Sequence, residues 1–296
     1  MDVVRPGTAV TPSALAPAVG DVLVAGLFDD AAIYPPGNLP LPDAVRAHLA
    51  HRAAPYRSAV GPFVCSVAAA PAAAAEAATS SLTVSVIATS VDRMADALAA
   101  GVHLDNLSVV GVEVPLEAND PADVARHVRG GGPTIFVEVP AARVTEGLAR
   151  RLKGMGLCLK LRTGGTSAAA FPSEHELSSA IAVCLAEELP FKCTAGLHNA
   201  VRHRDRLTAY EHHGFLNVLA AVAAGQTGGA AAVFGAISEQ DGSVIARQIR
   251  SLTVEQLTAA RAIFRSFGTC SIGDPLADLA ALRLAAVPVR PPGDKA

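Results

Sequence analysis

The sequence predicts a closed (β/α)8 barrel of the TIM-barrel class, formed as a single domain over residues 1–296 with extra helices at the C-terminal end. Three observations predict it. Eight short β-rich runs recur along the chain, and helix-like segments with recognisable ends lie between most of them. The tetrapeptide Val-Glu-Val-Pro occurs at 112–115 and again at 137–140, one strand–helix unit later. Strands that alternate with helices imply parallel pairing through right-handed crossovers, and a repeated unit fits a barrel. An open doubly wound sheet usually carries a glycine-rich fingerprint after its first strand, and Leu27–Asn38 has none.

The expected strands, in order, are Asp21–Phe28, Phe63–Ala68, Leu82–Ala88, Ser108–Pro115, Thr134–Pro140, Leu157–Arg162, Phe191–Gly196 and Gly214–Ala221. Helix ends punctuate the intervals. Ser90 is a candidate N-cap for a segment ending at Gly101. Asp120 followed by Pro121 reads as a helix start, with glycines 130–132 as its stop. Ser173 with Glu176, and Thr253 with Gln256, have capping-box spacing. The barrel core is expected over about 21–225 and a helical segment over about 226–285.

Composition narrows the function. Half of the chain is hydrophobic (51%), enough for a sizeable core, and the formal net charge is −3. That balance predicts no nucleic-acid partner and no attraction to an anionic membrane surface. The apolar stretches are interrupted by Gly, Ser or charges, and none is expected to span a membrane. Five scattered cysteines without a CxxC motif read as reduced thiols, and no signal peptide is recognisable at the start, so a cytoplasmic location is expected. The partner expected is a small-molecule carbonyl or anionic substrate; a homo-oligomer is left open, since the sequence does not fix the oligomeric state.

In such a barrel, chemistry sits where strands end and the following loops begin. The ionisable residues at those places are Asp29 and Asp30 after the first run, Glu113 and Glu138 on the fourth and fifth, Lys160 and Arg162 on the sixth, and Lys192 and His198 at the seventh; Asn217 is polar within the eighth. Strand alternation puts Lys160 and Arg162 on one face, and Lys192, Thr194 and Gly196 on one face. If those faces point inward, two lysines and two glutamates converge in one mouth. An amine attacks a carbonyl only when neutral, so a catalytic lysine must lose a proton it normally holds to about pH 10.4. Two ammonium groups on strands ~4.8 Å apart would repel until one deprotonates. The other histidines fare less well. His48, His51, His103, His127 and His203 fall in helix or loop contexts and read as solvated, and His212 and His213 precede the eighth run, at the wrong end of a strand.

Lys160, Thr163 and Gly164 form a Lys-x-x-Thr-Gly pattern, and Lys192 is followed by Ala195 and Gly196. Together with Glu138 in Phe-Val-Glu-Val-Pro, this stretch, roughly 134–201, resembles class I aldolases of the deoxyribose-phosphate aldolase type. The resemblance implies Lys160 as Schiff-base nucleophile, Lys192 as the cation that lowers its pKa, and Glu138 as a proton relay, with no cofactor and no metal. Arg162, Thr163, Gly164, Gly165, Thr194, His198, Glu113, Asp29, Asp30 and Asn217 would then contact substrate. The sequence departs from the family at Leu161 and Arg162, which replace small polar residues, at Glu113, near where the family places an aspartate, and at Gly196–His203, which replaces a glycine-rich phosphate loop. The N-terminal Phe28–Val45 and C-terminal Phe267–Leu279 segments also look like parts of bacterial β/α-barrel proteins without an assigned function.

Two other readings remain open from the residues. Lys160, Arg162 and Lys192 could clamp an anion without a covalent bond, with a divalent ion on Glu113, Glu138, Asp29 or Asp30, as in an isomerase, lyase or decarboxylase. Alternatively, the lysines and glutamates could neutralise one another in a non-catalytic ligand-binding barrel.

Overall fold

The computed structural model describes residues 17–285 apart from 207. The elements run α1 (Pro17–Val24), β1 (Phe28–Asp30), α2 (Leu41–Ala53), β2 (Val60–Ser66), α3 (Ala70–Ala77), β3 (Leu82–Ile87), α4 (Val91–His103), β4 (Leu107–Pro115) and α5 (Pro121–Ala125). They continue with β5 (Thr134–Pro140), α6 (Glu146–Gly154), β6 (Cys158–Arg162), α7 (Glu174–Ala186), β7 (Phe191–Thr194), β8 (His203–Arg204), β9 (Glu211–His212), α8 (Phe215–Ser238), α9 (Gly242–Ser251), α10 (Val254–Ile263), β10 (Phe264–Thr269) and α11 (Gly273–Ala281). Eight strands close into a parallel barrel in the order β1-β10-β7-β6-β5-β4-β3-β2, and β8 and β9 form a separate two-stranded hairpin. The chain is therefore a (β/α)8 TIM barrel with extra C-terminal helices.

The two strands expected to close the barrel are corrected. Most of Asp21–Phe28 lies in or just after α1, and the first strand is only Phe28–Asp30. Gly214–Ala221 is not a strand: Gly214 caps α8, and Phe215 to Ala223 are all buried within that helix. A run buried on every side shows neither a period of 2 nor one of 3.6, so a short apolar stretch cannot declare its type. The eighth barrel strand is β10, inside the segment expected to be helical. Arg265, Ser266 and Gly268 interrupt its apolar run and hide it.

Helix ends follow the sequence signals more closely. Ser90 Oγ accepts from Arg93 N at 3.3 Å and starts α4, and Asp120 Oδ1 accepts from Ala122 N at 2.7 Å and starts α5. Both capping boxes form, at Ser173–Glu176 and Thr253–Gln256. α8 has the length and composition of a membrane span, with a mean hydropathy of 1.4. Its first half, however, is packed inside the protein, and its helical geometry breaks at Gly229, where φ is 65°.

The apolar core lies between the strands and the surrounding helices. Phe63, Val84, Val112, Val137, Leu159 and Phe191 are outward-pointing strand residues, and all belong to it. The seam between the first and last strands is fastened by three rings. Phe28 on β1 pairs in register with Phe267 on β10, their centroids 5.5 Å apart, and Phe215 at the start of α8 stacks on Phe267 at 5.0 Å. Since alternation sends one residue out and the next one in, placing these rings outside commits their neighbours, Asp29 and Ser266, to the interior.

Phe267→Ala should destabilise the protein by about 3–5 kcal/mol, because it empties the centre of a closed ring cluster. Urea unfolding measures this, and a loss below about 1 kcal/mol would mean that the seam does not depend on these rings.

Candidate functional site

Inside the barrel, charges alternate along one chain of contacts. Arg162 pairs with Glu138 Oε1. Glu138 Oε2 lies 2.8 Å from Lys160 Nζ. Lys160 Nζ lies 2.6 Å from Glu113 Oε2, and Glu113 Oε1 lies 2.6 Å from Lys192 Nζ. Lys192 then pairs with Asp29 Oδ2. Three cations thus alternate with three carboxylates, delivered by β1, β4, β5, β6 and β7.

Strand register explains the convergence. Glu138, Lys160 and Lys192 are successive cross-strand partners on β5, β6 and β7, so their side chains leave the same face at the same level. Side-chain exposure falls along the chain, from 46% at Arg162 to 14% at Glu138, 3% at Lys160 and 2% at Lys192. The arrangement therefore has a solvent-side end at Arg162 and a sealed end at Asp29.

Two serines complete the buried acceptors. Ser85 Oγ donates to Glu113 Oε1 at 2.7 Å, and Ser266 Oγ donates to Asp29 Oδ2 at 2.8 Å. The Phe136 ring lies 5.3 Å from Lys192 Nζ and adds a cation–π contact. A Cβ at Gly61 would run into the Asp29 carboxylate, so the absence of a side chain there leaves room for it. These residues were missed in the sequence because a small polar residue or a glycine within a strand carries no charge signal. Their parity with the charged positions is the trace they leave.

The electrostatics follow the geometry. Burial alone would raise Glu113, but the charges of Lys160 and Lys192 outweigh it and hold the carboxyl well below its usual range. Burial likewise opposes the ionisation of Glu138, and Lys160 and Arg162 overcome it, leaving that group lowered. For Lys192, burial disfavours the ammonium, yet Asp29 and Glu113 together hold it above the ordinary lysine range. Asp29 differs: burial pushes its carboxyl up, and Lys192 only partly offsets this. The expected bare repulsion between two lysines is thus absent. The Glu113 carboxylate bonds to both and stands between their charges.

Several expected residues lie elsewhere. Asp30 points out of the barrel: its Oδ2 is 3.0 Å from His48 Nδ1 on α2, and its Oδ1 accepts from Ala32 N at 3.2 Å. His48, expected to be solvated, is buried. Asn217 sits on α8, where Oδ1 accepts from Arg202 N and Nδ2 donates to the carbonyls of Ala236 and Glu239, all at 2.8 Å. Its amide is spent on backbone, so it is a structural tie. His213, also buried, has Nε2 2.7 Å from Pro172 O.

His198 does not touch the network. Its Nδ1 is 3.5 Å from Cys270 Sγ, and burial lowers the imidazole. Thr163 and Thr194 join the β6 and β7 ends: Thr163 N donates to Thr194 O at 2.9 Å, and Thr163 Oγ1 donates to the same oxygen at 3.1 Å. Gly164 and Gly196 allow the two following loops to touch, since a Cβ on Gly164 would lie 2.9 Å from Gly196 Cα. Gly165 stands beside Ala170 and the Arg162 guanidinium.

An open groove of about 900 Å³ on the barrel flank, between α7, α8 and α10, is remote from these charges. Ala182, Val183, Ala230 and Val233 line it. Among the described residues, no group of three or more His, Cys, Asp or Glu side chains is placed to hold a metal ion. No protein-family model matches the chain, and a search of the curated proteins finds no match.

Glu113→Gln should destabilise the fold by about 3–5 kcal/mol at neutral pH, because it leaves two buried ammonium groups underpaired. The pH dependence has a defined sign. Glu113 and Glu138 are lowered from an ordinary 4.5, so their contribution is complete above that value and is lost as pH falls through the folded values. Asp29 is raised from 3.8 and runs oppositely, losing its contribution as pH rises through its folded value. Urea unfolding of both proteins across pH 7 to 3 should show the gap between wild type and Glu113→Gln narrowing below about 4.5. A gap that stays constant or widens would contradict the assignment of Glu113 as the ionised bridge.

Proposed function

We propose that the protein is a lyase acting on a small carbonyl metabolite, with Lys160 as its Schiff-base nucleophile. The observation that carries this reading is the Glu113 carboxylate shared by two lysines, 2.6 Å from each. It pairs Lys160, one contact nearer the solvent-side end of the network, with a second buried lysine that Asp29 and Glu113 hold as a cation. Lys160 is favoured over Lys192 because its other partner, Glu138, reaches towards solvent, whereas Lys192 is enclosed by Asp29 and Glu113.

Imine formation begins with transfer of a Lys160 proton to Glu138 or Glu113, the carboxylates within hydrogen-bond reach. The freed nitrogen pair forms a bond to the carbonyl carbon as the C=O π bond opens, and the oxygen takes up a proton lost from that nitrogen, giving a neutral carbinolamine. A second proton lets that oxygen leave as water, and the C=N bond of the iminium forms. The iminium withdraws electrons from the adjacent carbon, where a C–C bond breaks or a proton leaves. Lys192 keeps positive charge beside the relay throughout.

A three-cation clamp on one anion is less well supported, since Lys192 would have to give up two carboxylates. A purely structural ion-pair lattice has one observation in its favour: every charge in the chain of contacts is already paired. Such lattices contribute little net stability for their desolvation, which favours a chemical use.

Incubation with a panel of aldehydes and ketones, followed by borohydride, should leave a reduced adduct on Lys160, located by peptide mass spectrometry. Lys160→Arg should abolish it, because a guanidinium stays protonated and forms no imine. An adduct on Lys192 would exchange the two roles. Turnover of a substrate with unimpaired activity in Lys160→Arg would discard imine chemistry.

A further inference from the structure

Arg162 is the one member of the charge chain with a half-exposed side chain, at 46%. It lies two residues beyond Lys160 on β6, hence on the same face and ~6.6 Å further towards the open end. Both cations hold the same partner: Glu138 Oε1 faces Arg162, and Glu138 Oε2 faces Lys160. On its loop side the guanidinium meets Gly165, where a Cβ would lie 3.9 Å from Nη1, so residue 165 places no side chain over it. Resting on the Schiff-base reading of Lys160, we infer that Arg162 recognises an anionic group on the substrate, and that this contact draws Arg162 off Glu138 and frees that carboxylate to take the Lys160 proton.

The physical sequence is short. Glu138 is now tied by two cations. An incoming carboxylate or phosphate offers Arg162 a charged, bidentate partner. Once the guanidinium turns to it, Glu138 keeps only Lys160 and remains mostly buried. Burial then favours its protonated form, and the proton available is that of Lys160 at 2.8 Å. The substrate's own anion thus prepares the amine that attacks its carbonyl. The cations lie on the two oxygens of one carboxylate, so the anionic group and the carbonyl of the substrate must be only a few bonds apart. The class is a short carbonyl acid or a short hydroxyaldehyde phosphate.

Matched pairs separate the two anions from each other and from size: pyruvate against acetone, and glycolaldehyde phosphate against glycolaldehyde. In the wild type, the anionic member of at least one pair should be trapped on Lys160 by borohydride at least tenfold faster. Arg162→Met should erase that preference, Arg162→Lys should restore part of it, and Glu138→Gln should lose it through loss of the proton acceptor. Calorimetric titration of lactate and inorganic phosphate, which cannot form an imine, tests recognition alone. At least one should bind the wild type and Glu138→Gln tenfold more tightly than Arg162→Met. Such binding with no adduct from any carbonyl would retain Arg162 as the anion site and remove the Schiff-base reading. Equal binding in Arg162→Met, no binding of either anion to the wild type, or a trapping preference that survives in Arg162→Met would overturn the inference.

Discussion

The interior of this barrel depends on one carboxylate held between two ammonium groups. Glu113 has a lysine on each oxygen, at 2.6 Å, and a serine hydroxyl besides. Stripping water from one ion is costly, by several kcal/mol even after relaxation. The cost is offset only where opposite charges stand close and the remaining polar atoms have partners. Here the pattern extends outward through Glu138 to Arg162 and inward to Asp29, so that each buried charge has neighbours of the opposite sign. Remove the central carboxylate and the two halves of the pattern lose their connection.

That polar interior is possible because the apolar burial is done elsewhere. Barrel interiors are commonly filled by branched apolar layers. In this chain the outward faces of the strands and the helices around them carry the core, and the inward faces bring together the charges, their serine partners, Gly61 and the Phe136 ring beside Lys192. Strand alternation enforces the separation: with Leu159 and Leu161 outside, Lys160 has nowhere to go but in. The three-phenylalanine seam acts in the same way on β1 and β10, and it fixes Asp29 and Ser266 against Lys192.

Much of this was legible in the sequence. The barrel class follows from the recurrence of strands, both capping boxes from their Ser/Thr-x-x-Glu/Gln spacing, and the convergence of Glu113, Glu138, Lys160, Arg162 and Lys192 from strand parity. The count of eight holds although two of its members move: the first strand begins only at Phe28, after a helix and turn where Asp21–Leu27 reads as strand, and the last is Phe264–Thr269 instead of Gly214–Ala221, which is helical. Burial on all sides erases the period in the first case, and polar interruptions conceal it in the second. Asp29 and Asp30 could not be told apart without knowing where so short a strand begins; one is bound to Lys192 and the other to His48. Asn217 qualifies as a substrate contact only if its segment is a strand; on α8 its amide is bonded to backbone. The carboxylate between the lysines was the least legible feature, since cross-strand contact depends on register and not on local spacing.

The central claim is that Lys192 is a sealed, permanently charged neighbour of Lys160, held by Asp29 and Glu113. The direct measurement is an NMR titration of lysine side chains labelled at the ε-carbon, with the Lys192 resonance assigned by Lys192→Met. The account predicts that Lys192 remains an ammonium beyond the ordinary lysine value of 10.5 and shows no titration step below it. A Lys192 signal that titrates below that value would contradict the account, because the lysine would then be a neutral amine rather than the fixed cation on which the rest of the site is built.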